Sequence, residues 1–334
     1  MSPADVLLLS ASDVLEILTI EDCIAAVENA FRLYGEGKAA APGVLSMHVP
    51  DGAFHIKAGA LALSRPYFAS KVNGNFPDNP ARSGLPTIQG VIVLCDAGNG
   101  RLLAIMDSIE ITALRTAAAT AVAAKHLARR DAAVVTIYGC GRQGRAQLRA
   151  LARVRPLKQV FAYDKNAATS KEFARDLGEE LQIPVTHVAD PWEALRRSAI
   201  CVTCTTSREA VLHPGDVSPG TFIAAVGADN PQKQELQPGL MAAGKVVVDV
   251  LGQCAALGDL HHAIAAGAMK LSDVHAELAE VVAGVKPGRT SDEEIIIFDS
   301  TGMALQDVAA AAVAFEKAAS QGRGTRLAFN PCAA

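Results

Sequence analysis

The chain has 334 residues, half of them apolar, 4% aromatic and 20% charged. At roughly 150 residues per domain this length predicts two domains, and the apolar content excludes a largely disordered chain. With 31 Lys and Arg against 35 Asp and Glu, a net charge of −4 and no long run of either sign, the electrostatic basis for a dedicated nucleic-acid binder is missing.

Residues 1–9 carry no basic residue ahead of their short apolar run, which predicts a first strand rather than a secretory leader, and a cytoplasmic protein. Apolar residues at helical spacing, Ile17, Ile20, Ile24, Val27, Ala30, Phe31 and Tyr34, predict a helix over 14–34. Short β-type segments follow at 44–49, 53–58, 67–72 and 90–95, divided by turn signals at 50–52, 76–80 and 98–100. This is the pattern of an α+β unit paired mostly antiparallel. Asp107, with Glu110 three residues later, forms a capping-box pattern and opens an alanine-rich helix to about residue 128.

From residue 132 strands alternate with helices, the strands at 133–138, 159–163, 200–205, 222–226, 246–250 and 295–299. Such alternation predicts an α/β fold with a doubly wound parallel sheet, and a last helix covers 304–319. The apolar runs 116–124 and 309–314 fall far short of the roughly 20 residues needed to cross a bilayer, so no membrane span is expected. Cysteines 23, 95, 140, 201, 204, 254 and 332 are an odd, scattered set and read as free thiols. Cys201 and Cys204 lie in an apolar run where residues three apart point to opposite faces, which argues against a redox or metal pair. His126, His213, His261 and His262 have no acid or cysteine at ligand spacing, so no metal is expected. Trp192 follows Asp190 and Pro191 at a predicted helix start and reads as a packing anchor.

The strongest motif is Gly139-Cys140-Gly141-Arg142-Gln143-Gly144, between a strand and a helix. Its first glycine permits the tight turn, its second lets backbone approach a pyrophosphate, and its third lets helix pack on strand. The helix amino terminus offers N–H groups to phosphate. Asp164 follows at the end of the next strand, where an acid accepts from ribose hydroxyls and repels a 2′-phosphate. NAD is therefore the expected cofactor, with Lys165 able to tolerate the extra phosphate of NADP.

The segments 70–75 (SKVNGN), 84–87 (GLPT), 112–118 (TALRTAA), 227–229 (GAD), 233–236 (KQEL) and 298–302 (FDSTG) together resemble the ornithine cyclodeaminase and mu-crystallin family. Its members include cyclodeaminases, an alanine dehydrogenase branch, and ketimine or pyrroline-2-carboxylate reductases. The resemblance implies a Rossmann-type NAD-binding domain over 121–304 and an α+β substrate-binding and dimerisation domain from 1–120 and 305–334. It also implies a homodimer, a small imino-acid or amino-acid substrate, and hydride transfer at Cα.

Arg115 suits a substrate carboxylate because its planar fork binds both oxygens, although spacing alone serves an ion pair equally well. Lys71 sits among small neighbours in a β-type segment, where a solvated strand lysine is the plain alternative. The resemblance makes Lys71 a substrate-orienting and charge-stabilising group. Asp229 follows a strand end, where open α/β sheets bind ligands; the resemblance makes it the acid/base residue, against a simple turn aspartate before Asn230-Pro231. It also assigns Thr87 to substrate, and Thr116, Thr205, Ser207, Val226 and Ser300 to the cofactor.

Ornithine cyclodeaminases carry an acid about a dozen positions before the lysine matched by Lys71, holding the distal ammonium. Here residues 54–59 (FHIKAG) offer His55 and Lys57 and no acid, and a cation cannot pair with an ammonium. This departure favours an imino-acid reductase, with Lys57 suited to a second carboxylate. Redox-neutral cyclodeamination, alanine dehydrogenase-like activity and mu-crystallin-like ligand binding are the alternatives.

Overall fold

The structure, a computed structural model, describes residues 5–329, so Cys332 and the first four residues of the expected leading strand lie outside it. Strand β1 (Asp5–Leu9) leads into two helices, α1 (Ala11–Ile17) and α2 (Ile20–Gly35), where periodicity predicted one. The second begins at a capping box. Thr19 Oγ1 accepts from the N–H of Asp22 at 3.2 Å, while the Asp22 carboxylate accepts from the N–H of Thr19 at 3.0 Å. Leu18 and Thr19 are extended and break the helix, while Val14 and Ile17 before the break and Ile20, Ile24 and Val27 after it are all buried.

Strands β2 (Gly43–Val49), β3 (Gly52–Ala62) and β4 (Pro66–Asn75) precede the short α3 (Asn79–Ser83), β5 (Ile88–Asp96) and β6 (Leu102–Asp107). Strand β6 escaped the sequence reading because its LLAIM run does not alternate. Asp107 Oδ1 then accepts from the N–H of Ile109 at 2.8 Å and opens α4 (Ser108–Leu127).

The alternating part of the chain forms β7 (Val134–Tyr138), α5 (Arg142–Val154), β8 (Gln159–Tyr163), α6 (Ala167–Leu181), β9 (Val185–His187), α7 (Trp192–Arg197), β10 (Ile200–Thr203) and β11 (Phe222–Ala225). It continues with α8 (Pro238–Ala243), β12 (Lys245–Val248), α9 (Leu251–Leu257), α10 (Asp259–Ala265), β13 (Ala276–Glu277), α11 (Leu278–Val282) and β14 (Ile296–Asp299). These strands form an eight-stranded, wholly parallel sheet in the order β13-β12-β14-β11-β10-β7-β8-β9. The order reverses between β7 and β10, the switch point at which such sheets bind dinucleotides. Strands β9 and β13, three and two residues long, are too short to show a period. Trp192 is not the expected packing anchor: it is 48% exposed at the start of α7, with Arg196 over its ring.

The last elements are α12 (Ala304–Gln321) and β15 (Thr325–Ala328). Strand β15 joins a second sheet, ordered β15-β1-β6-β5-β4-β3-β2, in which only the β1 to β6 ladder is parallel. Helix α12 packs on β3 closely enough that a Cβ at Gly59 would lie 2.8 Å from Leu305. The chain thus divides into two compact units, Met1–Arg115 with Met303–Ala334, and Thr116–Gly302. No helix among the described residues is long and apolar enough to cross a membrane.

The cap at Thr19 is worth about 1 kcal/mol to the first unit. Thr19→Ala should lower its stability by that amount in urea unfolding, and no change would show that the helix break is held by packing alone.

Candidate active site

In the first unit, burial alternates along β4 so that Tyr67, Ala69 and Lys71 share its covered face. A lysine stands where the pattern calls for an apolar side chain. Lys71 Nζ donates to Asp307 Oδ1 at 2.7 Å, and Arg115 Nε, from α4, donates to the same oxygen at 3.0 Å. Arg115 Nη1 donates to Gln306 Oε1 at 2.9 Å. Lys71, Arg115 and Asp307 are all buried, and Asp307 Oδ2 accepts no hydrogen bond among the described residues.

Lys57 lies directly across from Lys71 in the β3 to β4 ladder. Opposed residues of an antiparallel pair share a face, and like charges placed so are destabilising. Burial, and next the Arg115 charge, lowers Lys71 to about 7 against the pull of Asp307. Burial also pushes Asp307 upward, but Arg115 and Lys71 outweigh it and hold this carboxyl below its usual range. Three cationic side chains thus act on one carboxylate, a surroundings suited to an anionic ligand. Thr87 is half-buried at the loop before β5, its carbonyl accepting from the N–H of Phe76 at 2.8 Å.

The second unit carries the glycine-rich loop. Gly139 has φ +104°, a conformation L side chains rarely adopt, and a Cβ at Gly144 would lie 2.1 Å from the Gly139 carbonyl oxygen. Gly141 faces open space and heads α5 without a side-chain cap, leaving first-turn N–H groups, with Arg142 and Gln143 beside them, for a phosphate. Asp164 Oδ2 accepts from the N–H of Cys140 at 2.9 Å, which seats the acid against this loop. Loop, helix end and acid fit a dinucleotide.

Beyond β10, Thr205 Oγ1 accepts from the N–H of Ser207 at 3.1 Å, and Ser207 Oγ donates to the Glu209 carbonyl at 2.6 Å. Val226 is buried just past β11. Ser300 is buried, its hydroxyl donating to Asp249 Oδ2 at 3.0 Å, so the side chain expected to meet the cofactor is committed inside the protein. Thr116 is half-buried on α4. Asp229 is about half exposed and pairs with Lys233 Nζ at 2.7 Å. Burial pushes the Cys201 and Cys204 thiols upward and Cys140 to about 12, so all three stay protonated near neutral pH. Among the described residues no three His, Cys, Asp or Glu side chains group as metal ligands.

Sequence reasoning missed Asp307, although an acid in the first turn of an otherwise apolar helix is a readable signal. It also missed Glu235, Asp259 and Asp299, whose burial depends on distant segments.

A parallel sheet reversing at β7 and β10, with a glycine-rich loop at the switch point, defines a Rossmann-type α/β protein. The family model of the ornithine cyclodeaminase/mu-crystallin family matches residues 4–322, and the chain belongs to that family. Among solved structures, an archaeal alanine dehydrogenase dimer with bound NAD is 39% identical, covering 98% of this chain and 100% of that one at a TM-score of 0.93. The Thermococcus litoralis Δ1-pyrroline-2-carboxylate reductase, in complex with NADH and L-proline, is 36% identical over 96% of this chain and 100% of its own, TM-score 0.92. The iminosuccinate reductase of Paracoccus denitrificans, in complex with NAD+, is 32% identical over 97% of this chain and 99% of its own, TM-score 0.90.

The Lys71 titration has a sign that can be checked. The folded protein gives up this proton at about 7 and the unfolded chain holds it to the ordinary 10.5, so stability should rise with pH across that window. Lys71→Met should remove the rise, read by urea unfolding at about pH 7 and about pH 9. Equal slopes in both proteins would contradict the assignment.

Proposed function

We propose that the protein is an NAD(P)H-dependent imino-acid reductase, with amino-acid dehydrogenation as the reverse reaction. The observation that carries this reading is the buried Lys71, Arg115 and Asp307 group, a cation-rich seat for a carboxylate in a chain that also holds a dinucleotide loop. The three NAD-bound neighbours support it. The first unit takes the substrate and the second, which begins at Thr116 rather than at the expected residue 121, takes the cofactor.

The Gly139 to Gly144 loop and Asp164 would hold NADH, which would supply the hydride that reduces the C=N carbon of an imino acid to the Cα of an amino acid. Arg115 and Lys71 hold the α-carboxylate, with Thr87 beside the substrate, and offset the electron density that shifts in the transition state. Asp229 exchanges the proton at the substrate nitrogen. Thr116, Thr205, Ser207 and Val226 line the cofactor, whereas the Ser300 hydroxyl, bonded to Asp249, leaves only its backbone for that role. The negative charge of Asp164 favours NAD over NADP.

Lys57 selects a substrate with a second carboxylate. Its position opposite Lys71 sets a second amine on the same face of the β3 to β4 ladder, a charge suited to a second carboxylate. The same residue disfavours the distal ammonium of ornithine, which sets cyclodeamination aside.

We also propose a homodimer, supported by edge strand β2, exposed along its whole length with Leu45 and Met47 more than half exposed. A cytoplasmic setting fits the six free cysteines of the described residues.

NADH oxidation with oxaloacetate plus ammonia, with pyrroline-2-carboxylate, and with pyruvate plus ammonia tests the reading, beside L-ornithine with NAD. Reduction of an imino acid is expected, and efficient proline formation from ornithine without net NADH use would overturn it. Arg115→Ala should cut kcat/KM by roughly a hundredfold, the cost of about 3 kcal/mol for a lost buried charge partner. Lys57→Ala should lower the preference for the dicarboxylate imine over the monocarboxylate one by roughly tenfold. Asp229→Ala should lose turnover and keep NADH binding; full activity would remove Asp229 from the mechanism.

A further inference from the structure

Three buried carboxylates stand in series behind the carboxyl ends of the parallel strands. Asp299, the last residue of β14, accepts from the N–H of Asp259 at 3.3 Å and of Leu260 at 2.9 Å. Asp259 accepts from the N–H of Glu235 at 2.8 Å and of Leu236 at 2.9 Å. Glu235 then accepts at Oε1 from the N–H of Thr205 at 2.6 Å, and at Oε2 from the Thr203 hydroxyl at 2.7 Å and the N–H of Gly227 at 2.8 Å. Asp299 and Asp259 each grip two backbone donors of the next segment, and Glu235 grips one from each of two loops, so the position of β14 is passed on to both. Those loops follow β10 and β11.

They are also the loops that matter for the cofactor. The first carries Thr205 and Ser207, and the second carries Asp229 two residues beyond Gly227. Both lie on the β10 side of the switch point, where the second half of a dinucleotide runs. Gly227 is shaped to this arrangement, because a Cβ there would sit 2.5 Å from the Glu235 carboxyl group.

Placing three acids together in a dry interior is costly. Burial raises the proton affinity of Asp259, and the Glu235 charge raises it further; burial and then Asp259 do the same to Asp299. Apolar side chains of similar volume would commonly be at least as stable in such a place. What an apolar residue cannot do is hold two N–H groups of different loops at one spacing.

We propose that Glu235 is a positioning residue that sets the loops after β10 and β11 for the nicotinamide half of the dinucleotide. This rests on the reading of the second unit as the cofactor-binding one, and adds a residue that acts through Thr205, Gly227 and Asp229 rather than by touching substrate. A carboxylate is required, because both of its oxygens accept, whereas the amide of a glutamine turns a donor toward one of the two N–H groups.

Two variants reach the clamp from opposite sides. Glu235→Gln should keep the fold while raising the NADH dissociation constant roughly tenfold and lowering kcat, with KM for the imino acid little changed. Gly227→Ala pushes against the same carboxylate and against the Thr205 carbonyl, disturbs the clamp from both of its ends, and should give the same split. Amide hydrogen exchange at Thr205 and Gly227 should quicken in both, which reads the clamp independently of turnover. Wild-type NADH affinity, kcat and amide protection in Glu235→Gln would overturn the proposal, as would equal losses in both KM values together with a collapse in Tm. Failure of the unsubstituted protein to bind NADH would count against the cofactor reading instead, and amide exchange would still decide the clamp.

Discussion

One carboxylate oxygen, Asp307 Oδ1, receives two buried cations brought from chain positions 236 and 192 residues away. Isolated charges do not survive in such an interior, and removing one partner of a buried pair commonly costs about 3–5 kcal/mol. The first unit is therefore organised around keeping this acid in place. Helix α12 must return to the sheet built by the amino-terminal part of the chain, and Gly59 on β3 allows it to come close. Lys57, Lys71 and Arg115 all act on this one acid and hold its carboxyl below the usual range.

The second unit uses the opposite sign. There the acids are seated on backbone N–H groups, whose hydrogen bonds oppose, without cancelling, the upward push of burial and mutual repulsion. A carboxylate used in this way fixes the spacing of two loops, which hydrophobic packing does with less directional control. The glycine-rich loop and α5 do the complementary task of leaving N–H groups uncovered. With only 4% aromatic residues in the chain, selectivity rests on charge rather than stacking, which suits a small polar substrate.

The parallel sheet was legible because its strands are short apolar runs punctuated by helices, and the boundaries of β8 agree to the residue. The glycine loop was legible because each glycine answers a local steric demand. Less visible was whatever depends on contacts far apart in sequence. The period that suggests one helix over 14–34 does not register that Thr19 and Asp22 bond each other's backbone. Lys71 and Arg115 could be singled out as cations for a carboxylate, but not the acid between them, because Asp307 meets them only when α12 folds back. Trp192 looked like an anchor by residue type, and its exposure follows from a first-turn position on a short surface helix. Glu235 gave no period at all, since its partners come from the end of β10 and from the loops after β10 and β11.

The central claim is that hydride passes to the Cα of a carboxylate-bearing imino acid, and isotope transfer measures it most directly. With NADH carrying deuterium at the transferable C4 position and an imino acid formed in place, mass spectrometry of the amino-acid product should find one deuterium, bonded to Cα. A product without deuterium, or cofactor oxidation with no amino acid formed, would contradict the account.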